Sequence, residues 1–435
     1  IISPLKSLSE SWLAENKIEL LVIAIQSINP TRRSEISEAA LKTGVKVKVV
    51  PPYRTWIDGN LTSKQLKSIK IEDLLQRTKI ELDNVNISGS VEGKTVLVTG
   101  AAGSIGSEIA RQLSFYKLKN LILIDHAESP LYDIEQELKE SYQTKKTINP
   151  ICEVANVKDR YRMDTIFDNY RPEIVYHAAA YKHVPIIEKS PYEGIFVNVF
   201  GTRIVADTAI RYNAERFVMV STDKAVNPTN VMGATKRVAE LYTQSLNELG
   251  KTKFIATRFG NVLGSNGSVV PLFRKQIENG GPITVTHEEI TRYFMTIPEA
   301  CNLVLEAGAM GVGGEVFVFD MGEPVKILDM AKKMVRLSGL ELNKDIYIEI
   351  TGLRPGEKLY EELLTSSETT LPTHHPKIMV AKEVAYSNKA IKEHLDILTE
   401  IMIDGDVVGM VRKVKTIVPE YISQNSVFEA LDGKN

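Results

Sequence analysis

The sequence lacks the features that mark secreted, membrane-spanning and nucleic-acid-binding chains. Its two cysteines, Cys152 and Cys301, are too few and too isolated for a disulfide framework or a zinc site, which is typical of a reducing cytoplasm. No window approaches the roughly 18 uninterrupted apolar residues of a membrane span, and the residues after Ile1 lack a signal-peptide layout. Lysine and arginine (53) nearly balance aspartate and glutamate (55), without a basic tract or an acidic tail. We therefore expect a cytoplasmic globular protein with no metal site, no nucleic-acid partner and no membrane contact within this chain.

The length of the sequence predicts more than one hydrophobic core, because 435 residues exceed the roughly 250–300 at which a single core stops growing. A strand–helix–strand pattern near residues 19–50 has no glycine-rich turn after its first strand, so we do not expect it to bind a nucleotide. From Lys94 onward strands and helices alternate regularly, which predicts a parallel, doubly wound sheet. The predicted strands lie near 95–99, 121–125, 148–154, 173–178, 216–221 and 253–258, and the predicted helices near 105–115, 131–142, 199–212, 232–249 and 388–402.

A glycine-rich turn follows the first strand of this region and opens its first helix, with the sequence Thr99-Gly100-Ala-Ala-Gly103-Ser-Ile-Gly106. Gly100 permits the tight turn, Gly103 lets the backbone approach a pyrophosphate, and Gly106 lets the helix pack closely on the sheet. Asp125 closes the next strand about 20 residues later, where a carboxylate binds the adenosine ribose of a dinucleotide. No arginine adjoins Asp125 to bind a 2′-phosphate, so the motif predicts NAD rather than NADP.

Together these patterns predict an α/β fold, a doubly wound parallel Rossmann sheet with a smaller C-terminal substrate lobe and a partial N-terminal α/β module. We place the N-terminal module and its connector at residues 1–86 and the main domain at 87–365. Within the main domain, the NAD-binding core is expected at about 93–258 and the substrate lobe mainly at 259–365. Residues 366–435 are predicted to form a mostly helical extension.

A second group of polar residues comes at the end of another predicted strand, as Ser221-Thr-Asp-Lys-Ala225 followed by Met232-Gly-Ala-Thr-Lys236. It resembles the active site of a short-chain dehydrogenase/reductase in which Met232 replaces the usual tyrosine. A tyrosine there would lie one helical turn before Lys236, whose ammonium lowers the phenol pKa and prepares it to take a hydroxyl proton. Methionine has no titratable proton, so either the proton leaves by another route or the protein is not an ordinary dehydrogenase.

Ordered motifs extend this pattern along the chain. They are Thr99–Gly106, His177–Pro185, Ser221–Pro228, Met232–Lys236, Arg258–Ser265, Thr291–Thr296 and Leu353–Lys358. Through them, residues 93 to 365 resemble the large nucleotide-sugar 4,6-dehydratases, in the polysaccharide biosynthesis branch of the extended short-chain dehydrogenase/reductase family. The methionine at 232 is similar to the large, membrane-attached members that act on UDP-N-acetylglucosamine, whereas smaller relatives keep tyrosine.

The resemblance implies NAD-dependent 4,6-dehydration of a UDP-N-acetylhexosamine, most simply UDP-N-acetylglucosamine, for bacterial surface polysaccharide. The elimination needs a base at C5 and an acid at the C6 hydroxyl, within a few ångströms of each other. Family resemblance assigns the acid to Asp223 and the base to Lys224. It also implies that Thr222 bonds the sugar O4 and Lys236 the nicotinamide ribose, with Met232 completing the catalytic set. A water held by Thr222 and fed by Lys236 is our hypothesis for the acceptor of the 4-hydroxyl proton.

The nucleotide-binding residues follow from the same motifs. The expected cofactor-binding residues are Gly100, Gly103, Ser104, Ile105, Gly106, Asp125, Asn156, Val157, Ala178, Ala179, Ala180 and Lys236. At one of these positions, Asn156, many relatives have an aspartate near the adenine. The expected substrate-binding residues are Lys182, His183, Asn261, Arg292, Arg354 and Glu357. Guanidinium groups suit a diphosphate because they offer forked donors.

Two other functions stay open. A UDP-sugar 4-epimerase needs no acid–base pair for elimination and normally relies on the tyrosine that is missing here. A non-catalytic nucleotide-sensing scaffold is suggested by the loss of that tyrosine, but retention of Lys236 and the Asp-Lys pair argues against it. The resemblance further implies a homodimer or larger homo-oligomer, paired through the helices near 199–212 and 232–249. It also implies a longer, inner-membrane-anchored protein with transmembrane helices before Ile1, of which this chain is a cytoplasmic part.

Overall fold

The structure is a computed structural model that describes residues 12, 15–25, 28–51, 66–69, 71–74, 84–145, 148–362, 370–383 and 386–433. The chain divides into two compact units. The first unit takes its described residues from 1–80, 263–291 and 325–352, and the second from 81–262, 292–324 and 353–435. None of the described helices combines the length and the apolar composition that a membrane crossing requires.

The strands are short and are spread along the whole described chain. In chain order they are β1 (Leu20–Ile23), β2 (Lys46–Val49), β3 (Lys67–Ser68), β4 (Thr95–Thr99), β5 (Asn120–Asp125), β6 (Ile151–Val154), β7 (Ile174–His177), β8 (Arg216–Val220), β9 (Lys253–Arg258), β10 (Asn261–Leu263), β11 (Ile283–Val285), β12 (Thr291–Arg292), β13 (Phe294–Thr296), β14 (Val316–Phe319), β15 (Val325–Lys326), β16 (Ile348–Ile350), β17 (Thr370–Pro372) and β18 (Ile378–Ala381).

Helices connect most of these strands. The described α-helices are α1 (Pro30–Lys42), α2 (Ile71–Leu74), α3 (Asn84–Val91), α4 (Ser104–Leu113), α5 (Glu128–Lys145), α6 (Arg160–Tyr170), α7 (Val184–Lys189), α8 (Pro191–Ile195), α9 (Thr202–Arg211), α10 (Val231–Ser245), α11 (Val269–Glu278), α12 (Ile297–Met310), α13 (Ile327–Leu337), α14 (Asn388–Ile403) and α15 (Val407–Ile417). A π-helical turn at Phe196–Gly201 precedes α9, and 3₁₀ turns lie at Asp223–Ala225, Leu246–Leu249 and Val427–Leu431.

The second unit is built on a nine-stranded sheet with the order β17-β18-β14-β9-β8-β7-β4-β5-β6. The strands from β6 to β14 run parallel, and β17 and β18 add an antiparallel edge. Every residue of β4 is buried, and so is almost all of β5, because helices cover both faces of the sheet. The predicted α/β fold with a doubly wound parallel sheet is therefore confirmed.

The strand order reverses beside β4. The chain first builds outward from β4 through β5 to β6, and then crosses back to place β7 on the other side of β4. In such sheets a crevice opens outside the carboxyl ends of the two strands at this reversal, and ligands bind there. The crevice lies beyond Thr99 and His177, which are paired in register at the ends of β4 and β7.

The first unit contains two smaller sheets. Parallel β1 and β2 are joined by antiparallel β3, and β11 pairs in parallel with β16. Helix α1 begins at Pro30, where the side chain of Asn29 accepts a hydrogen bond from the Thr31 amide. An ion pair between Lys333 and Glu38 joins α13 to α1. This division into units does not test the domain boundaries predicted from the sequence, which remain predictions.

Candidate active site

Gly100 occupies the turn directly after β4, at the reversal in strand order. Its φ of +67° is a left-handed conformation that favours glycine. A Cβ on Gly100 would lie 2.6 Å from the backbone nitrogen of Ala179, which follows β7. The three alanines Ala178, Ala179 and Ala180 are half-buried at this point. The two strand ends therefore approach each other backbone to backbone, which leaves the crevice open above them.

Gly106 lets helix α4 start against the same turn. A Cβ on Gly106 would lie only 2.1 Å from the carbonyl oxygen of Gly100, so no larger residue fits. Helix α4 begins with Ser104 and Ile105, directly after Gly103, and no side chain caps it. The amides of an uncapped first turn, together with the helix dipole, form a binding site for phosphate.

Asp125 lies at the end of β5, beside the glycine turn. One carboxylate oxygen accepts a hydrogen bond from the Ala102 amide at 3.0 Å and the other from the Ala127 amide at 2.9 Å. Each oxygen keeps a second lone pair for a ribose hydroxyl. After β6, the Asn156 side chain accepts from the Lys158 amide at 3.0 Å, and Val157 is buried. The predicted cofactor residues from three neighbouring strands thus lie at one edge of the sheet, and the set fits a dinucleotide.

Lys236 reaches the crevice from α10. Its ammonium donates a hydrogen bond to the Val220 carbonyl at the end of β8, at 2.7 Å. Burial lowers the pKa of Lys236 to about 8, against the opposing charge of Glu240. Met232 lies one turn earlier on α10 and is buried in the hydrophobic core. A Cβ on Gly233 would lie 2.1 Å from the Lys224 carbonyl oxygen, so the first turn of α10 packs directly against the segment that carries Asp223 and Lys224.

Asp223 and Lys224 form an ion pair just beyond the end of β8. Lys224 Nζ lies 2.9 Å from Asp223 Oδ1, and Thr222 donates its hydroxyl hydrogen to the same oxygen at 2.9 Å. The Asp223 side chain is only 2% exposed and that of Lys224 19% exposed. Asp223 Oδ2 is buried and has no hydrogen-bond partner within the described part of the chain. A buried carboxylate oxygen left without a donor is costly, and a catalytic role is one of the explanations for such an oxygen in a native protein.

Glu361, which the sequence analysis did not single out, contacts the same lysine. Its Oε1 lies 3.3 Å from Lys224 Nζ, and its side chain is 3% exposed. Burial opposes the charged form of Lys224, but the carboxylates of Asp223 and Glu361 outweigh it and raise the lysine pKa above its ordinary value. The two carboxylates therefore favour the ammonium form of Lys224. The only sequence signal for Glu361 was its place three residues after the last motif, next to Glu362.

Three predicted substrate residues extend this charge network. Arg292 lies 3.4 Å from Glu361 and 3.5 Å from Glu357, and Arg354 lies 3.1 Å from Glu357. Charges thus alternate from the Asp223–Lys224 pair through Glu361, Arg292 and Glu357 to Arg354, whose side chain is 55% exposed.

The remaining predicted substrate residues are Asn261, Lys182 and His183. Asn261 Oδ1 accepts a 3.5 Å hydrogen bond from Lys224. Lys182 and His183 are exposed between β7 and α7, and burial together with the charges of Lys182 and Arg354 lowers the pKa of His183.

The residue set gives no indication of a metal centre. Among the residues that the structure describes, no group of three or more His, Cys, Asp or Glu side chains is arranged to hold a metal ion. What the arrangement offers instead is a buried acid, a neighbouring amine and forked cations, beside a turn that suits a dinucleotide. A nucleotide-linked substrate with an exchangeable proton and a leaving hydroxyl fits these groups.

Comparison with protein families gives one match that covers most of the chain. The model of the polysaccharide biosynthesis protein family matches residues 96–383. The chain belongs to this family. The matched residues contain the glycine turn, the Asp223–Lys224 pair and Glu361.

A capsular polysaccharide biosynthesis protein, CapD of Staphylococcus aureus, is 50% identical over 390 residues. The match covers 89% of this chain but 64% of CapD, so the chain spans less than two thirds of that relative. A UDP-N-acetylglucosamine 4,6-dehydratase (inverting) of Campylobacter jejuni is 32% identical, covering 64% of this chain and 80% of the relative. A UDP-glucose 4-epimerase of Rickettsia bellii is 34% identical, covering 63% and 79%. The relatives of this chain therefore include a nucleotide-sugar dehydratase and a nucleotide-sugar epimerase.

Solved structures give the same fold. Pen from Bacillus thuringiensis is 33% identical with a TM-score of 0.60, covering 68% of this chain and 90% of Pen. UDP-glucose 4-epimerase from Thermus thermophilus, in complex with NAD, has a TM-score of 0.53 at 20% identity, covering 62% of this chain and 90% of the epimerase. At that identity the likeness concerns the fold alone.

Proposed function

We propose that the chain catalyses the NAD-dependent 4,6-dehydration of a UDP-N-acetylhexosamine, most simply UDP-N-acetylglucosamine, to the 4-keto-6-deoxy sugar nucleotide. The observation that carries the proposal is the buried Asp223–Lys224 pair with its unpaired Asp223 Oδ2. Elimination needs an acid and a base side by side, and this pair supplies both residue types. Membership in the polysaccharide biosynthesis protein family supports a role in making surface polysaccharide.

The cofactor that fits the glycine turn is NAD. We propose that the uncapped start of α4 binds its pyrophosphate, that Asp125 accepts from its adenosine ribose, and that Lys236 donates to its nicotinamide ribose. When bound, NAD supplies oxidation at C4 of the sugar and the matching reduction at C6, so that the reaction has no net redox change. The carboxylate of Asp125 disfavours the extra phosphate of NADP.

The Asp223–Lys224 pair can supply both proton transfers of the elimination. A proton that moves from Lys224 Nζ to Asp223 Oδ1, across 2.9 Å, turns the ion pair into a neutral amine and a carboxylic acid. In water this transfer would cost about 9 kcal/mol, from the difference between the reference pKa values. Burial penalises both charged forms and so reduces that cost, which requires the pair to be shielded when substrate is bound.

The neutral pair then carries out the loss of water. Lys224 takes the C5 proton while Asp223 protonates the C6 oxygen, so the C5–H and C6–O bonds break, a C5–C6 double bond forms, and water leaves. The lysine is then an ammonium and the aspartate a carboxylate, which is the starting ion pair. Because the proton arrives on Oδ1, the carboxyl group has to turn to present it to the C6 oxygen, and Oδ2, which no described protein group binds, leaves it free to do so.

For the substrate's diphosphate we propose Arg292 and Arg354. Both guanidinium groups already bind carboxylates, and an anionic ligand could replace Glu357 as their partner without leaving an unpaired cation. Asn261 is proposed to hold the sugar nucleotide from beside Lys224. The membrane anchor of a longer protein and the homo-oligomer remain predictions from the resemblance.

A UDP-sugar 4-epimerase is the second candidate, favoured by the 34% identity to the Rickettsia enzyme. That reaction needs no elimination, so it gives no reason for the buried acid–amine pair. Chromatography coupled to mass spectrometry, applied to the chain incubated with UDP-N-acetylglucosamine and NAD, separates the candidates. We expect a product lighter by one water; a chromatographically distinct product of unchanged mass would establish the epimerase, and no new product would exclude both reactions on this substrate.

The separate roles of the pair can be tested in deuterium oxide. Asp223→Asn should reduce dehydration by about 10²- to 10⁴-fold, because the C6 hydroxyl loses its acid and Lys224 loses the carboxylate that accepts its proton; raising the pH, which deprotonates Lys224 in place of Asp223, should restore deuterium exchange at C5 of the recovered substrate but not dehydration. Lys224→Met should abolish both dehydration and exchange at C5. Exchange that persists in Lys224→Met would assign the base to another residue.

A further inference from the structure

The C-terminal segment, defined here as Glu383 and residues 386–433, packs against the helix that carries Lys236. Helices α14 and α15 bury apolar side chains against α10, and α15 also packs against α8; Leu395 and Val414 are among the buried side chains. Of the 15 residues of α10, all but Gln244 are buried. This face of α10 is therefore covered by the chain's own C-terminal segment.

A buried ionic cluster joins the C-terminal segment to the end of β9. Arg258 binds both oxygens of Glu240, at 2.9 and 2.5 Å, and also binds Glu383. Arg237 binds Glu240 at 3.3 Å, Glu383 at 2.6 Å and Glu420 at 3.1 Å. Glu240 and Arg258 are almost completely buried, so each charge depends on its partners. Without Glu383, Arg258 would keep only Glu240 among these carboxylates, which it shares with Arg237, while Arg237 would also keep Glu420.

The same cluster reaches the proposed active site through the Ser221 side chain. The Ser221 hydroxyl donates a 2.5 Å hydrogen bond to Glu240, and Ser221 is the residue before Thr222. The Ser221 amide also bonds to Thr257 and the Asp223 amide to Phe259, so this stretch follows the end of β9. The position of the Thr222–Lys224 segment thus depends on an ionic cluster that Glu383 completes.

A second set of contacts holds the other side of the site. The amide of Ile422 donates to the Pro228 carbonyl at 3.1 Å and that of Gln424 to the Thr229 carbonyl at 3.1 Å. The Gln424 carbonyl accepts from the Gly356 amide at 2.7 Å, next to Glu357. The C-terminal segment therefore bonds both the loop before α10 and the loop that carries Arg354 and Glu357.

We propose that the C-terminal segment is a positioning element of the active site, and that Glu383, through Arg258, Glu240 and Ser221, sets the place of the Asp223–Lys224 pair. This proposal rests on the proposed dehydration for its kinetic consequences only. Its structural content, that Glu383 orders residues 221–225, holds whatever the reaction is. None of these residues touches a reacting atom, so their effect is on the geometry of the groups that do.

The test compares Glu383→Gln with Asp396→Asn in the full chain. Asp396 lies on α14 and pairs with Arg203 at 3.0 Å, so its replacement also removes an ion pair of the segment but leaves the cluster at Ser221 intact. For Glu383→Gln we expect kcat to fall about 10- to 100-fold with KM within about 3-fold, because a small misplacement of reacting groups costs this much. Asp396→Asn should leave both constants unchanged.

Amide hydrogen exchange gives a readout that needs no substrate. We expect the amides of residues 221–225 to exchange at least about 10-fold faster in Glu383→Gln and at the native rate in Asp396→Asn. If the wild-type chain dehydrates no UDP-sugar, the proposed function fails and exchange alone decides this proposal. Native exchange in Glu383→Gln, with native kcat where activity is present, would overturn it.

A second variant covers the case in which Glu383→Gln does not fold. Ser221→Ala keeps the ionic cluster and removes only its link to the strand end. We expect it to show the same loss of kcat with little change in KM, and faster exchange at residues 221–225. Native kcat and native exchange in Ser221→Ala would refute the route through Ser221.

Discussion

Met232 is the residue at which this site departs most clearly from a tyrosine-dependent dehydrogenase. Its side chain is buried in the hydrophobic core, one turn before Lys236 on α10. A thioether has no proton to exchange, so we expect Met232 to act through its shape alone. Met232→Leu, which conserves volume, should keep kcat within about 3-fold and change the free energy of unfolding by less than about 1.5 kcal/mol.

Steady-state kinetics and denaturant unfolding of Met232→Leu check this expectation. Met232→Tyr is the matched variant, because it restores the phenol that related dehydrogenases use. Preserved or raised activity in Met232→Tyr would mean that the site had only lost a base. Total inactivity would show that the methionine shapes the pocket, and a loss of kcat above about 100-fold in Met232→Leu would contradict a role through shape alone.

Lys236 should make stability depend on pH in a window set by its burial. Its pKa is lowered to about 8 in the folded chain, against 10.5 when it is exposed. Between these values the unfolded chain binds more protons than the folded chain, so the stability contributed by this group rises with pH from about 8 to 10.5. The shift corresponds to roughly 3 kcal/mol. Lys236→Met should remove this rise. Its free energy of unfolding, relative to that of the wild-type chain, should therefore be higher below pH 8 than at pH 10.5.

Urea unfolding at a series of pH values measures this difference. Lys117→Met is a suitable control, because the Lys117 side chain is 89% exposed and its replacement should keep the rise. A wild-type and a Lys236→Met curve that run parallel from pH 8 to 10.5 would contradict the assigned burial cost.

At the residue scale, the glycine turn of the site could be predicted from the sequence, but two of its side-chain contacts could not. The spacing of Gly100, Gly103 and Gly106 predicted a turn, and the structure places that turn at the switch point of the sheet. The contact of Glu361 with Lys224 was not predicted, because residues 137 positions apart meet only through the fold and no periodicity records such a pair. The link from Ser221 to Glu240 was missed for the same reason.

At the scale of elements, the junction of β4 and α4 allows a direct test of the glycine turn. In Gly106→Ala the new Cβ would meet the Gly100 carbonyl oxygen at 2.1 Å, so the helix must move away from the turn. We expect NAD binding to be lost and the chain to be destabilised by at least about 1–3 kcal/mol, the usual cost of overpacking. Calorimetric titration with NAD and thermal unfolding measure the two effects.

Gly89→Ala provides the control within the same unit. Gly89 is exposed on α3, and a Cβ there would meet nothing within 4 Å. Because alanine favours a helix over glycine, this variant should be more stable by up to about 1 kcal/mol and bind NAD normally. Equal affinity for NAD in both variants would show that the turn does not bind the cofactor.

The elements of the second unit were largely predictable because strand and helix patterns there are local. The strands predicted at 95–99 and 253–258 coincide with β4 and β9, and the helix predicted at 388–402 coincides with α14. Helix α15 was not predicted. The helix predicted at 199–212 begins with a π-helical turn, where the Asn198 side chain binds the backbone of Tyr181. That turn depends on a contact across 17 residues, so local pattern could not show it.

At the scale of the whole molecule, chain order and spatial grouping differ. Segments 263–291 and 325–352 group with residues before 81; β11 pairs in parallel with β16 to join the two later segments, and the Lys333–Glu38 ion pair joins α13 to α1. Hydrophobic periodicity identifies an element but not its partner, and pairings between distant segments are therefore the least predictable part of a fold. In the second unit, the burial of α10 by α14 and α15 was equally unpredictable. The amphipathic patterns of α14 and α15 show that each helix has an apolar face, but not which helix that face contacts.

Cofactor and substrate should stabilise the whole chain independently, because they are proposed to bind different groups. A ligand present at about 100 times its Kd adds about 2.7 kcal/mol to the free energy of unfolding. Arg292→Lys keeps the charge opposite Glu357 and Glu361 but loses the forked donors, so it should lose most of the stabilisation by UDP-N-acetylglucosamine and keep that by NAD. Asp125→Asn should show the reverse pattern. Thermal unfolding with each ligand alone measures all four combinations, and an equal loss for both ligands in Arg292→Lys would rule out its role in holding the sugar nucleotide.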